Sequence, residues 1–238
     1  MSERIGVVGD DAVAERLRKA GLSVAHGTGD AVPATDRVVA VGQTALSRIA
    51  AAEDDPLVLP VAAGRGVRSV PDDAVASAVA DLDDARVERH PVLSVAVDGS
   101  TAGTAVWDVT LVTDDAARIS EYAVETPTDP VARLRADGVT VATPAGSPGY
   151  ARRVGAPVLA PLSDACVVAP IAPFATNPDH WVVPADDLSV TVLRDEAPVD
   201  CYLDGEAATA VPCGGAVTFG RAGTLRVAVV GASESRFG

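Results

Sequence analysis

The chain has 238 residues, of which 48% are hydrophobic, and it carries a formal net charge of -14 at pH 7. This length allows one large domain or two small ones, and the apolar content excludes a mostly disordered chain. No apolar run approaches the roughly 18 to 20 residues of a membrane-spanning helix, and the acidic charge without a Lys or Arg block excludes a nucleic-acid partner.

The first part of the chain, residues 1–88, alternates strand and helix patterns and is expected to form an α/β domain. Its first β-like run precedes a helix that Asp10 or Asp11 caps and that Gly21 ends. Another helix is expected after Pro71. The strands expected in this part cover residues 4–8, 37–41 and 57–61. Alternation of this kind favours a parallel sheet with crossover helices.

The second part, residues 89–238, changes to β-rich segments that Gly, Pro and Asp separate. The strands expected there cover residues 93–97, 109–112, 139–142, 188–193 and 225–230. We therefore expect an all-β domain to follow the α/β domain.

Reactive side chains and the N-terminus indicate the compartment. Residues 1–4 lack the basic region and the long apolar stretch of a secretory leader. The three cysteines, an odd number without C-x-x-C spacing, predict buried thiols rather than a disulfide framework or a zinc site. His26, His90 and His180 are scattered, which favours surface or capping roles over metal binding. We expect a cytoplasmic protein with no metal site.

The charged residues also indicate the solvent in which the protein works. Lys19 is the single lysine, and aspartate strongly outnumbers glutamate. This composition is typical of a protein kept soluble in concentrated salt, where screening weakens the repulsion between like charges. We therefore expect a haloarchaeal origin. A GC-rich genome that replaces Lys by Arg would explain the lysine count but not the acidity.

The most specific segment of the sequence covers residues 137–150. It begins with Asp137-Gly138, continues through a short apolar strand and ends in a turn rich in Thr, Pro, Gly and Ser. A turn of this kind at a strand end offers hydroxyl groups and free backbone amides to a small ligand. The residues alone leave two interpretations open, a ligand-binding loop or an elaborate turn.

This segment resembles the adenosine-binding segment of the NAD kinase family, which has the pattern D-G-(apolar strand)-T-P-T-G-S-T-A-Y followed by G-G-P. The chain has Gly155-Ala156-Pro157 at the place of the last motif. Arg65-Gly66 is similar to the family's G-R-x-G-F, residues 86–97 to its entry into the second domain, and residues 105–108 to its A-L-N-E/D. Residues 167–173 are similar to a strand that ends in T-P-I-C-P. The resemblance covers nearly the whole chain.

The resemblance implies an α/β N-terminal domain followed by an all-β, sandwich-like C-terminal domain. The implied reaction transfers the terminal phosphoryl group of ATP, with Mg²⁺, to the 2′-hydroxyl of the adenosine ribose of NAD. Asp137 matches the carboxylate of the D-G pair, and Asp108 matches the acidic residue that binds ligand hydroxyls. Arg135 lies two residues before Asp137, on the same face if the strand extends that far, within reach of a phosphate. The loop around the adenosine is matched by Thr143, Gly146, Ser147 and Tyr150.

The chain departs from the family pattern at the phosphate loop. The family's G-G-D-G-T supplies glycine amides for phosphate and an aspartate that takes the proton from the attacking hydroxyl, whereas residues 40–44 are Ala-Val-Gly-Gln-Thr. Gly42 stands at the aspartate position, so no catalytic residue is identified, and Gly42 and Thr44 remain as cofactor-binding candidates. A missing general base lowers the rate by about 10² to 10⁴, although phosphoryl transfer also depends on positioning and charge. Trp107 replaces the Asn of the N-E/D pair, and Pro148-Gly149 replaces the Thr-Ala before the tyrosine.

Three functions fit these observations. The first is an NAD kinase that uses another carboxylate, or the substrate's own phosphate, as the base. The second is a catalytically silent relative that binds NAD or an adenine nucleotide and acts as a sensor or partner subunit. The third is a phosphotransferase for a lipid or a sugar on the same scaffold, although its loop would lack the aspartate as well. We expect the chain to form a homo-oligomer. We expect its ligand to be a small-molecule nucleotide.

Overall fold

The computed structural model describes residues 4–27, 31–52, 54–115, 118–195 and 197–237. The chain forms two compact units, one of Met1–His90 with Thr224–Gly238 and one of Pro91–Gly223. Residues 1–3, which enter the expectation that there is no leader, lie outside the described residues. Within the ranges given above, no helix combines the length and the apolar character that crossing a bilayer requires.

The first unit contains a parallel sheet with the strand order β2-β1-β3-β4, as the alternating pattern predicts. Its strands are β1 (Ile5–Val8), β2 (Val24–His26), β3 (Arg37–Val41) and β4 (Leu57–Val61), and its helices are α1 (Asp11–Lys19), α2 (Gly42–Ala51) and α3 (Val75–Ala80). The sequence does not predict β2, because three residues are too short to show alternation.

Local sequence explains how the first unit begins. Asp10 rather than Asp11 caps α1, since its Oδ1 accepts the N–H of Ala12 at 2.7 Å. The helix then buries Val13 and Leu17 against the apolar core that the sheet strands contribute. The carboxyl ends of β1, β3 and β4 lie at the same edge of the sheet because the three strands are parallel.

The end of the chain also belongs to the first unit, whereas the sequence pattern groups residues 224–238 with the second domain. The reason is strand pairing: Val227 of β16 (Ala216–Val229) pairs in parallel with Val58 of β4. The backbone carbonyl of Arg236 also accepts the N–H of Gly66 at 3.0 Å. The last residues therefore contact the loop that follows β4.

A buried ion cluster joins this C-terminal segment to the N-terminal part of the first unit. The Glu88 side chain is 2% exposed, and its two oxygens lie 2.6 Å from guanidinium nitrogens of Arg86 and Arg236. His90 Nε2 lies 3.6 Å from the same carboxylate. His90 is fully buried, so the expectation of a surface or capping role is wrong for it. Burial lowers the pKa of the His90 imidazole to about 4, which leaves it neutral at pH 7.

The second unit contains two antiparallel sheets. The first has the order β16-β13-β8-β9, and β5 pairs with β16 and β6. The second has the order β12-β11-β10-β7-β14-β15. The strands of the first sheet are β5 (Arg86–Val97), β6 (Ser100–Ala105), β8 (Ser120–Glu125), β9 (Pro130–Ala136), β13 (Ser189–Arg194) and β16. Those of the second are β7 (Asp108–Thr113), β10 (Gly138–Ala142), β11 (Ala165–Ile171), β12 (Trp181–Pro184), β14 (Val199–Leu203) and β15 (Glu206–Val211), and the short helix α4 (Tyr150–Arg153) follows β10.

Both sheets of the second unit contribute to one apolar core, which makes this unit a β-sandwich. Leu111 and Val139 of one sheet belong to the same buried cluster as Tyr122 and Val190 of the other. The predicted order of an α/β part followed by a sandwich-like part is therefore confirmed. Two of the cysteines are buried as expected, Cys166 and Cys201, whereas Cys213 is exposed.

Candidate functional site

The candidate site in the second unit is built around residues 106–108, which lead into β7. The carboxylate of Asp204 accepts three consecutive backbone N–H groups there, from Val106 at 3.0 Å, Trp107 at 2.7 Å and Asp108 at 3.2 Å. The N–H of Asp204 donates in turn to the Asp108 carbonyl at 2.9 Å. Asp204 is a functional candidate that the sequence does not reveal, because the Asp204-Gly205 turn between β14 and β15 has the same residues as the Asp98-Gly99 turn.

The Asp108 side chain is a partly buried carboxyl group that accepts a hydrogen bond from a neighbouring hydroxyl group. Thr110 Oγ1 donates to its Oδ1 at 3.2 Å. Burial raises the pKa of the Asp108 carboxyl to about 6; the bond from Thr110 opposes this rise, and the charge of Asp204 adds to it. At pH 7 and above the group is mostly ionised, and it can then accept hydrogen bonds from ligand hydroxyls.

This raised pKa predicts how stability depends on pH. Because the folded-state pKa of Asp108 lies above its unfolded value of 3.8, the unfolded chain binds fewer protons between about pH 4 and pH 6, and this group lowers the free energy of unfolding as pH rises. We expect Asp108→Asn to unfold like the parent at pH 4 but to be more stable by about 1 to 3 kcal/mol at pH 7.5. Urea titrations at both pH values measure this difference. An equal difference at the two pH values would contradict the raised pKa.

The loop after β10 holds residues 106–108 from the other side. Thr143 donates its N–H to the Trp107 carbonyl at 2.9 Å and its hydroxyl to the Val106 carbonyl at 2.5 Å. Gly146 lies so close to Trp107 that an added Cβ would come within 1.8 Å of the Trp107 carbonyl oxygen. Only glycine fits at this position. The loop therefore supports the segment that carries Asp108.

The hydroxyl groups of this loop are bonded within the protein, contrary to the ligand contacts expected of Thr143 and Ser147. Both residues are fully buried. Thr143 Oγ1 also accepts the N–H of Gly146 at 3.1 Å, while Ser147 Oγ donates to the Pro144 carbonyl and accepts the N–H of Leu159, both at 2.9 Å. Tyr150, which is 39% exposed, is accessible to a ligand.

Arg135 and Asp137 lie apart from Asp108. Strand β9 ends at Ala136, before Asp137, so the condition for Arg135 and Asp137 to share one strand face is not met. Asp137 lies at the opposite end of β10 from Thr143, about 20 Å away for an extended strand of this length. Arg135 is exposed, and its guanidinium lies 5.8 Å from the centre of the Phe174 ring. Arg135 and Phe174 line a surface pocket of about 480 Å³.

In the first unit, Gly42 and Thr44 lie in the first turn of α2, after the carboxyl end of β3. Gly42 has a φ of +79°, and no atom lies within 4 Å of a Cβ added to it. The first N–H groups of a helix have no partner inside the helix and attract anions. Gln43 Nε2 donates to the Arg65 carbonyl at 3.5 Å. Arg65-Gly66, which is similar to the family's G-R-x-G-F motif, therefore lies beside this turn.

Carboxylate oxygens are the protein ligands that Mg²⁺ prefers. In the described ranges, no three His, Cys, Asp or Glu side chains are grouped so as to hold a metal ion.

The sequence is similar to that of known proteins. Residues 107–229, more than half of the chain, match the family model of the ATP-NAD kinase C-terminal domain. An NAD kinase from Methanoculleus marisnigri is 31% identical over 138 residues, which are 58% of this chain and 51% of that protein. An NAD kinase from Methanosarcina mazei is 34% identical over 121 residues, which are 50% of this chain and 42% of that protein. The chain spans about half the length of the curated relatives it matches.

Solved structures share the fold over nearly the whole chain. The crystal structure of an NAD kinase from Archaeoglobus fulgidus in complex with ATP has a TM-score of 0.78 at 23% identity, and the match covers 98% of this chain and 95% of that one. Yeast NADH kinase complexed with NADH has a TM-score of 0.81 at 14% identity, over 96% of this chain and 83% of that one. At these identities the likeness concerns the fold.

Proposed function

We propose that this chain, which belongs to the NAD kinase family, transfers the terminal phosphoryl group of MgATP to the 2′-hydroxyl of the adenosine ribose of NAD. The observation that carries the proposal is the Asp108 carboxylate, held by fixed backbone at the entry of β7 inside the region that matches the family. The names of the relatives, NAD kinases from several archaea, support the substrate pair.

We propose that Asp108 binds the ribose hydroxyls of NAD. An ionised carboxylate accepts hydroxyl hydrogen bonds that are about twice as strong as those between neutral groups. Tyr150 and the turn before it, with the half-buried Pro148 and the exposed Gly149, provide surface for the adenosine, whereas Thr143, Gly146 and Ser147 act by holding the loop. Asp137 and Arg135 remain proposed nucleotide contacts whose position in the second unit is separate from Asp108.

We propose that phosphate groups bind at the first turn of α2. Gly42 and Thr44 contribute backbone N–H groups there, and the helix dipole favours an anion at this end. No described side chain of that turn supplies a carboxylate. The reaction is therefore expected to be slow, because the hydroxyl proton must leave through another carboxylate or through the transferred phosphate itself.

The test is the formation of NADP by the purified chain with NAD and MgATP. The expected result is slow, sustained turnover that Asp108→Ala abolishes and that the distant Asp98→Asn leaves unchanged. NAD binding without any NADP would instead support the silent relative, the alternative that was based on Gly42 at the aspartate position. Label transfer to a lipid or a sugar, but not to NAD, would support the third function.

We also propose a saline, cytoplasmic setting. At a net charge of -14, self-repulsion acts over a screening length of about 30 Å at 0.01 M salt but only about 3 Å at 1 M. We expect the midpoint of thermal unfolding to rise with potassium chloride over this range. A midpoint that does not change would contradict the halophilic origin.

We further propose a homo-oligomer. Phe174 is 75% exposed and Val182 of the edge strand β12 is 53% exposed, so the second unit presents apolar side chains to solvent. Light scattering in 2 M potassium chloride measures the mass. A monomeric mass across the micromolar range would contradict the proposal.

A further inference from the structure

Two hairpins of the second unit have the same turn sequence and the same turn geometry. Asp98-Gly99 joins β5 to β6 with φ values of 49° and 77°, and Asp204-Gly205 joins β14 to β15 with φ values of 51° and 85°. Asp-Gly favours such two-residue turns because both positions need a positive φ, and Asn-Gly serves equally well. Turn formation therefore requires no more of Asp204 than of Asp98.

The two carboxylates differ in what they bind. Asp98 accepts one backbone N–H, from Ala216 at 2.9 Å. Asp204 uses both oxygens on residues 106–108: Oδ2 accepts from Val106, while Oδ1 accepts from Trp107 and from Asp108. Both contacts are remote in sequence, 118 positions for Asp98 and 96 to 98 positions for Asp204, so the two carboxylates differ in the number of N–H groups that they bind. Asp204 thus fixes a remote segment that its own hairpin does not need.

The same segment is held through its carbonyl groups by Thr143. The Val106 and Trp107 carbonyls accept from the hydroxyl and the N–H of Thr143. With its N–H groups on Asp204 and its carbonyls on Thr143, the backbone before Asp108 has little freedom to rotate. The Asp108 carboxylate is the group whose direction this arrangement determines.

We propose that Asp204 is a positioning residue of the nucleotide site: its carboxylate binds the N–H groups of Val106, Trp107 and Asp108 and thereby aims the Asp108 carboxylate at the ligand. The identity of the ligand as NAD rests on the proposed function. The arrangement of the segment does not, and it can be measured without a ligand.

Asp204 also acts on Asp108 through its charge. Burial is the main cause of the raised pKa of Asp108, and the negative charge of Asp204 adds to it. Among the described residues, Asp204 is the charged group whose field acts on this carboxyl. Removal of that charge therefore lowers the pKa of Asp108, and Asp204→Asn removes it while keeping the size and one acceptor oxygen of the side chain, so that packing around Asp108 changes least.

The experiment compares Asp204→Asn and Asp204→Ala with the matched variants Asp98→Asn and Asp98→Ala. The first measurement is hydrogen exchange of the amides of residues 106–108 without ligand. We expect Asp204→Ala to lose protection there and Asp204→Asn, which keeps one acceptor oxygen, to retain part of it. Both Asp98 variants should leave these amides unchanged. Unchanged protection in Asp204→Ala would overturn the proposal, and Asp204→Asn provides the test if the alanine variant does not fold.

The second measurement is NAD affinity as a function of pH. We expect Asp204→Ala to weaken binding by about 10-fold to 100-fold, as for the loss of a charged hydrogen bond, and Asp204→Asn to recover part of this loss. The pH midpoint of binding should fall in Asp204→Asn. An equal loss in Asp98→Ala would overturn the proposal. If Asp204→Ala loses amide protection at residues 106–108 but the parent binds no NAD, the positioning role of Asp204 is supported and the proposed function is refuted.

Discussion

Restoring Gly-Gly-Asp-Gly-Thr at residues 40–44 is expected to raise the rate of NADP formation by about 10² or more, because it supplies a general base. The turn accepts an aspartate: Gly42 has a φ of +79° and open space around an added Cβ. Aspartate and asparagine are among the non-glycine residues most often found at positive φ. Gly42→Asp alone is therefore expected to fold with a strain of about 1 kcal/mol.

The matched control for this loop carries Asn in place of the restored Asp. The two loops have the same strain and nearly the same shape, but only one has a carboxylate, so their ratio of rates isolates the base. Trp107 is retained in both. It is 6% exposed, and its backbone is fixed on both sides, so it packs in the protein interior and Trp107→Asn would lower stability. If both loops fold, bind NAD and form NADP equally slowly, the account of Gly42 is mistaken.

The second large effect concerns the buried ion cluster of the first unit. Glu88→Ala leaves the Arg236 side chain, only 9% exposed, without the carboxylate that lies 2.6 Å away. Removing one partner of a buried pair costs about 3 to 5 kcal/mol. We expect a loss of this size in the free energy of unfolding, measured by denaturant titration.

An exposed pair of the same length serves as the control. Arg37 and Asp83 are also 2.6 Å apart, but the Asp83 side chain is 78% exposed. Exposed pairs contribute about 0 to 1 kcal/mol, so Asp83→Ala should change stability little. If Glu88→Ala and Asp83→Ala lower stability by the same amount, burial does not give the Glu88 cluster its importance.

Continuous apolar runs predicted the parallel sheet of the first unit because buried parallel strands are apolar on both faces. Residues 37–41 and 57–61 became β3 and β4 with the predicted bounds. The return of the chain through Val227 to β4 was not predicted. A strand that pairs with a partner about 170 residues away carries no local mark of that partner.

The candidate site could be predicted from the sequence only in part. Motifs identified Asp108 and the loop after β10 as candidates, and in the structure Thr143 of that loop binds the carbonyls of Val106 and Trp107, next to Asp108. The motif gave no information on whether the hydroxyls of Thr143 and Ser147 point to a ligand or into the protein. Asp204 was missed because its turn has the same sequence as the turn at Asp98, and only the tertiary contacts with residues 106–108 distinguish the two.

The proposed binding of NAD by the Asp108 segment is tested most directly by calorimetric titration of NAD into the parent, Asp108→Ala and Asp98→Asn at pH 7.5 in molar potassium chloride. We expect Asp108→Ala to lose about 1.5 to 3 kcal/mol of binding free energy, the contribution of a charged hydrogen bond, while Asp98→Asn binds as the parent does. Binding of NAD by a folded Asp108→Ala as tightly as by the parent would contradict it.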